Sequence, residues 1–375
     1  MHILRAPTDQ VGARLYIKEA IMPRIDEIDQ NFKQNTDESG LVYIDCFTAP
    51  VRISGLPWRE KNQNYHRMDD SLNPLYNVGV RGLSPCTAGV QISFKTNSRK
   101  IGIKVDVEWN NLMPHMPYNS STGVDIYIGS GRNKKFFKTF FVYLNGTDHY
   151  EDVREFHDGE MKEITLNLPL YSGVEKMLLG LENGSSLETP EPFDYDKPVL
   201  FYGSSITQGA CASRPGMAYF NILSRKLNFE VVNMGFSSSG KGEPIMAEQI
   251  ASVPLSAFIF DYDHNAESAE ELERTHQKFF EIVRATQPDL PIIMLSKADC
   301  EDGMEATEAR KAVIYKTYQD AKARGDDKVW FIDGQTLYGT EDRDSCTVDS
   351  LHPNDIGFMR MAQVILPVLK EALGE

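Results

Sequence analysis

From Val199 to the C-terminus, short apolar runs alternate with longer segments of helical spacing, and few chain plans satisfy that pattern. The strand candidates are Val199–Tyr202, Glu230–Asn233, Ala257–Asp261, Pro291–Leu295 and Val329–Ile332. Helical spacing occupies residues 217–227, 243–251, 267–286, 305–323 and 355–373. Runs as continuously apolar as Ala257-Phe-Ile-Phe are strands buried on both faces, which is the property of a parallel sheet covered by helices. Five such strands predict a three-layer α/β/α domain around a five-stranded parallel sheet.

Upstream the texture differs. Leu41–Asp45, residues 89–96, 100–107, 123–128, 136–143, 161–168 and 176–181 are short runs rich in Val, Ile, Phe, Tyr and Thr, several of them alternating apolar and polar. Many short half-buried strands at this spacing predict an N-terminal β-sandwich of jelly-roll type. A helical start is expected over residues 12–34, interrupted at Pro23. The segment Thr189-Pro-Glu-Pro-Phe-Asp-Tyr-Asp-Lys-Pro198 is dense in proline and acid and reads as a connection. The expected domains are therefore 1–190 and 197–375.

The net charge of −15 disfavours nucleic acid or an anionic membrane as the main partner. No apolar run approaches the ~18 residues of a membrane-spanning helix. Five scattered cysteines without a C-x-x-C fit reduced thiols better than a disulfide framework. With no hydrophobic signal core at the start, the expected location is the cytoplasm. The sequons at Asn119, Asn145 and Asn183 matter only for a secreted chain.

Two stretches carry chemistry. Gly203-Ser-Ser-Ile-Thr-Gln-Gly209 follows the first parallel strand, placing small hydroxyls and helix-start N–H groups at the sheet's carboxyl edge, where open α/β sheets bind ligands. Asp349-Ser-Leu-His352-Pro353 precedes the last helix, and an Asp three residues before a His can fold its carboxylate against the imidazole. Each alone is also a helix-capping sequence. Together they supply nucleophile, base and orienter. Between them, Asn233–Gly240 and Asp261-Tyr-Asp-His-Asn265 leave other strand ends and could aim donors at an oxyanion. Asp261, Asp263 and His264 also suggest a metal site, but they lack a recognisable zinc spacing.

The C-terminal ~180 residues resemble the SGNH (GDSL-type) hydrolase family on four sequence blocks. Gly203-Ser204-Ser205 with Gly209 matches the first block, with Ser204 where many members have Asp, and implies Ser205 as nucleophile. Asn265 fits the third by position, though Asp-Tyr-Asp-His-Asn replaces the usual Gly-x-Asn-Asp, and Asp349 with His352 matches the last. In the second block the expected glycine falls on Ser238 when aligned from Asn233, with Gly235 and Gly240 nearby. The resemblance implies an oxyanion hole from Ser205, Ser238 and Asn265. An N-terminal jelly roll resembles the two-domain carbohydrate esterases of this family. The α/β-hydrolase G-x-S-x-G elbow is broken by Thr207, and a Walker loop by the missing Lys.

The implied function is a serine esterase removing acetyl or another short acyl group, expected from a carbohydrate, with Ser205, His352 and Asp349 as triad and no metal or organic cofactor. The rivals are a lysophospholipase or thioesterase, and a non-catalytic glycan-binding protein. His115, in the Asn110–Tyr118 loop of the first domain, is expected to wall the pocket. Arg214 and His264 are further candidates for substrate contact. Trp58 and Trp109 either stack on sugar rings or are buried.

Overall fold

The computed structural model describes residues 40–47, 50–110, 113–144, 146–298 and 304–375. The expected helical start over 12–34 lies outside them. Among the described residues, ten strands precede the connection: β1 (Leu41–Asp45), β2 (Arg52–Ser54), β3 (Gln91–Thr96), β4 (Lys100–Trp109), β5 (Asp125–Ile128), β6 (Lys135–Thr139), β7 (His149–Glu155), β8 (Lys162–Asn167), β9 (Gly173–Glu182) and β10 (Leu187–Glu188). They form two antiparallel sheets, in order β1-β9-β4-β7 and β10-β3-β8-β5-β6, with β2 paired to β3. Ile92 and Phe94 from one sheet and Ile101, Ile103 and Val105 from the other bury alternate side chains in a shared core, the sandwich that the alternation predicts.

Two departures have local causes. The charged run His149-Tyr-Glu-Asp-Val-Arg-Glu155 is the edge strand β7, which pairs on one side only. Its Asp152 is fully buried and accepts from Arg154 Nη1 at 2.8 Å, so this strand, which is not among those expected from sequence, is internally neutralised. The expected run over 136–143 ends at Thr139, after which the chain leaves the sheet.

The second half follows the expected alternation closely. Strands β11 (Val199–Gly203), β12 (Val231–Gly235), β13 (Ala257–Asp261), β14 (Ile292–Leu295) and β15 (Val329–Ile332) are all parallel, in order β12-β11-β13-β14-β15. Val199 and Phe201 point to the core shared with helices Tyr219–Leu227 and Asp355–Leu373. Leu200 and Tyr202 point to the core beneath Pro244–Ser252, Ala269–Thr286 and Met304–Ala323. The strand order reverses between β11 and β13, and the crevice at their carboxyl ends is the expected ligand position in such a sheet.

The two halves interlock. Met68, Tyr76 and Val80, from the stretch assigned to the sandwich, are buried in the α/β core. Arg67 is 1% exposed and donates to the carbonyls of Leu83, Cys86, Asn233 and Gly235 at 2.6–3.1 Å. Burial pulls its pKa down to about 10. This fully hydrogen-bonded cation fixes the end of β12, and with it the loop that follows.

Candidate active site

The turn after β11 is held from below. A Cβ on Gly203 would lie 2.1 Å from Thr207 Oγ1 and 2.2 Å from the Asp261 carbonyl oxygen, and one on Gly235 would lie 2.2 Å from the Gln208 nitrogen. Only glycine permits these approaches. Ser204 caps the one-turn helix Ser205–Gln208 by accepting from the Ile206 N–H at 3.2 Å. Asn233 Nδ2 donates to the Thr207 carbonyl at 2.6 Å, and Tyr171 donates its hydroxyl to the Ser205 carbonyl at 3.3 Å. Ser205 itself is nearly buried, 9% exposed.

Beneath that turn, Asp261 Oδ2 accepts from Thr207 Oγ1 at 3.2 Å and from the Tyr219 hydroxyl at 3.1 Å. Burial pushes this carboxyl up to about 7, although both hydrogen bonds oppose the shift. An acid with a raised folded pKa holds its proton while the unfolded chain ionises near ~3.9. Stability therefore falls as pH rises between about 4 and 7, and the loss is complete above that window. Asp261→Asn lacks this slope. Its stability relative to wild type should be greater at about pH 8 than at about pH 4, by ~1–3 kcal/mol in chemical denaturation. Equal differences at the two pH values would contradict this role.

His352 comes from the loop ahead of the last helix. Its Nε2 lies 2.9 Å from Ser205 Oγ and its Nδ1 2.8 Å from Asp349 Oδ2. The other carboxylate oxygen of Asp349 accepts from the backbone N–H groups of Leu351 (3.1 Å) and His352 (2.7 Å), with Ser350 at φ 68° to close the turn. Burial pushes the Asp349 carboxyl up, but the bonds from the His352 backbone and ring outweigh it and hold the group below its ordinary value. Asn354 then caps the helix by accepting from Ile356 and Gly357. Ser205, His352 and Asp349 are thus in hydrogen-bonded sequence, an arrangement that can supply a nucleophile, a base and a carboxylate fixing the base's tautomer.

For the oxyanion, the N–H groups of Ser205 and Ser238 have no hydrogen-bond partner among the described residues. Ser238 has φ 54°, the left-handed conformation that favours glycine, so serine occupies a glycine-type position in the second loop. Asn265 departs from its expected role. Its Nδ2 donates to the carbonyls of Phe236 at 2.9 Å and Gly240 at 3.1 Å, which uses both amide hydrogens on the second loop. In this geometry it shapes that loop and offers no N–H to the reacting centre.

The remaining candidates divide. The His115 ring centroid lies 5.5 Å from that of His352, so the sandwich loop does overhang the catalytic edge. Arg214 does not face substrate: its Nη1 donates to Asp125 Oδ2 at 2.9 Å and to the Tyr127 hydroxyl at 2.6 Å, and its guanidinium lies over the Phe136 ring at 3.7 Å. It clamps the sandwich to the α/β half. His264 is half-buried with Nδ1 enclosed and without a hydrogen-bond partner. Burial and the positive charges of Lys297, His352 and Arg310 push its pKa well below the ordinary value, so it is a neutral imidazole near the site. Asp261, Asp263 and His264 form no metal-holding group among the described residues, because Asp261 serves Thr207 and Tyr219 while Asp263 accepts from the Lys297 N–H at 2.7 Å. Trp109 is partly exposed, and Trp58 packs against the α/β core.

Sequence reasoning missed Cys211 and Asp125. Cys211 is buried close to His115 and His352, with φ 71°. Asp125 is fully buried and accepts from Arg214, from the Gly216 N–H at 2.7 Å and from Asn167 Nδ2 at 2.6 Å. The signal available for Asp125 was an acid within the otherwise apolar run Gly123–Ile128.

The sequence model of the GDSL-like lipase/acylhydrolase family matches residues 196–370, and that of the N-terminus of SGNH-hydrolase-type esterases matches residues 41–187. The second family carries G-x-D-L-Y in its name, and Gly123-Val-Asp125-Ile126-Tyr127 follows that form here except that Ile126 stands in the Leu position. No curated protein matches the chain. Among solved structures, one assigned as a GDSL-like lipase from Bacteroides ovatus ATCC 8483 is 31% identical, covers 89% of this chain and 98% of its own, and superposes with a TM-score of 0.81. The salicylyl-acyltransferase SsfX3 of a tetracycline biosynthetic pathway is 18% identical over 89% of this chain and 98% of its own, with a TM-score of 0.73. A family two carbohydrate esterase from Cellvibrio japonicus is 12% identical over the same shares, with a TM-score of 0.57.

Proposed function

The chain belongs to the GDSL-like lipase/acylhydrolase family and is a carboxylic ester hydrolase, and from that premise we propose that it removes acetyl or another short acyl group from a carbohydrate through an acyl-enzyme on Ser205. The observation that carries the proposal is the pair of contacts about His352, 2.9 Å to Ser205 Oγ and 2.8 Å to Asp349 Oδ2. Ser205 Oγ attacks the ester carbonyl while His352 Nε2 takes its proton and Asp349 stabilises the imidazolium. The Ser205 and Ser238 N–H groups receive the oxyanion. His352 then returns the proton to the leaving alcohol, and water repeats the cycle on the acyl-enzyme.

A short acyl group is favoured by the likeness in fold to an acetyl xylan esterase from Butyrivibrio proteoclasticus. The carbohydrate acceptor is favoured by the sandwich overhang and by the likeness in fold to family two carbohydrate esterases. An acyl-ester panel from acetyl to octanoyl tests the first point. kcat/KM should fall by ~10-fold or more along it, since a lost near-attack geometry has effects of at least this size. A preference for octanoyl would favour a lysophospholipase or thioesterase instead.

The overhang gives a separate expectation. His115→Ala should lower kcat/KM on an acetylated oligosaccharide by ~10-fold or more while barely changing a small activated acetyl ester, because lost positioning affects the larger substrate most. Equal effects on both substrates would exclude His115 from substrate positioning.

A further inference from the structure

We propose that His115, Cys211 and His352 form an inhibitory site for a thiophilic divalent cation of the zinc class, joining the sandwich loop to the catalytic base. Each residue offers one ligand atom, and the three atoms lie within 4.8 Å of one another. Zinc–nitrogen bonds of ~2.0–2.1 Å and zinc–sulfur bonds of ~2.3 Å place tetrahedral ligands roughly 3.3–3.8 Å apart, so a contraction of about 1 Å completes the site. His115 lies on a loop, where such an adjustment is easiest.

The geometry at His352 favours a metal as well as a proton. Asp349 holds Nδ1 at 2.8 Å, which leaves the Nε2 lone pair to accept from Ser205 or to ligate a metal in its place. A carboxylate behind the far nitrogen is the usual support of a metal-bound histidine. Two imidazoles and one sulfur select zinc-class ions over magnesium or calcium. Ser205 Oγ, 2.9 Å from the same Nε2, or a water can take the fourth position. Cys211 adopts φ 71°, a conformation costly for a residue other than glycine, in the turn that follows the helix begun by Ser205.

Binding converts the Cys211 thiol to a metal thiolate and releases its proton to solvent. The Nε2 lone pair then belongs to the metal and cannot accept the Ser205 proton. The inhibitory consequence rests on the acyl-enzyme reading; the site itself does not.

The test is cobalt titration of the whole chain, followed by zinc inhibition of ester hydrolysis. Wild type should develop a near-ultraviolet thiolate-to-cobalt band that Zn2+ abolishes, and Cys211→Ala should not. Zn2+ at ~100 μM should reduce wild-type turnover ~10-fold or more, reversibly with EDTA, while Cys211→Ala stays within about twofold, as expected when one of three ligands is removed. Cys211→Gly, which suits φ 71°, gives the same comparison should alanine destabilise the turn. No cobalt band in wild type, or equal zinc inhibition of wild type and both variants, would overturn the proposal. A cobalt band in a chain that hydrolyses no ester would uphold the site and overturn the acyl-enzyme reading alone.

Discussion

Ser205→Ala should lower ester turnover by roughly 10⁴–10⁶, the loss seen when a triad nucleophile is removed. The residual rate should come from substrate binding and the N–H groups of Ser205 and Ser238, which alanine leaves in place. Folding should be unaffected, because the Ser205 hydroxyl makes its one hydrogen bond to the ring of His352, and the turn is fixed by other groups. Gly203, Gly235, the Ser204 cap and the Asn233 amide all survive the change. Steady-state kinetics with an acetyl ester, alongside a thermal melt, separates lost chemistry from lost structure. A folded variant that keeps more than about one part in a hundred of the activity would be far outside the expected range for a nucleophile.

The largest expected effect on stability lies away from the reacting atoms. Asp125 is fully buried in β5 and joins three parts of the chain: Arg214 and Gly216 beyond the catalytic turn, and Asn167 within the sandwich. Removing one partner of such a pair leaves Arg214, with 17% of its side chain exposed, largely without a counter-charge. Breaking a buried pair in this way typically costs about 3–5 kcal/mol. Asp125→Ala should therefore lower Tm by about 4–6 °C, since an unfolding entropy of ~2.1 cal/mol/K per residue makes 1 kcal/mol equivalent to ~1.3 °C in a chain of 375 residues. A shift under about 2 °C by calorimetry would mean that solvent reaches Arg214 readily and that the clamp contributes little.

Much of this architecture was legible in the sequence because its signals are local. The five parallel strands announce themselves as unbroken apolar runs, and their helices by spacing. The proximity of Ser205, Asp349 and His352 was readable for the same reason: they sit in two short stretches whose turns are closed by their own residues, as Asp349 does for His352. What was not legible depends on long-range burial. β7 is absent from the strands expected from sequence because its charged Asp152 and Arg154 neutralise one another only once folded. Arg214 looked like a substrate ligand because Asp125, its partner, is 89 residues away in sequence. Asn265 occupies the expected position, yet its amide is taken up by the Phe236 and Gly240 carbonyls, a pairing set by the path of the second loop. Ser238 illustrates the converse, since its φ of 54° preserves a glycine-type backbone without a glycine.

The central claim is that acyl transfer passes through Ser205 with His352 as its base. Treatment of the folded protein with a fluorophosphonate, followed by intact mass and peptide mapping, tests it most directly. The account predicts one adduct, on Ser205, abolished in Ser205→Ala and strongly slowed in His352→Ala. An adduct on Ser204, or one that persists in Ser205→Ala, would contradict it.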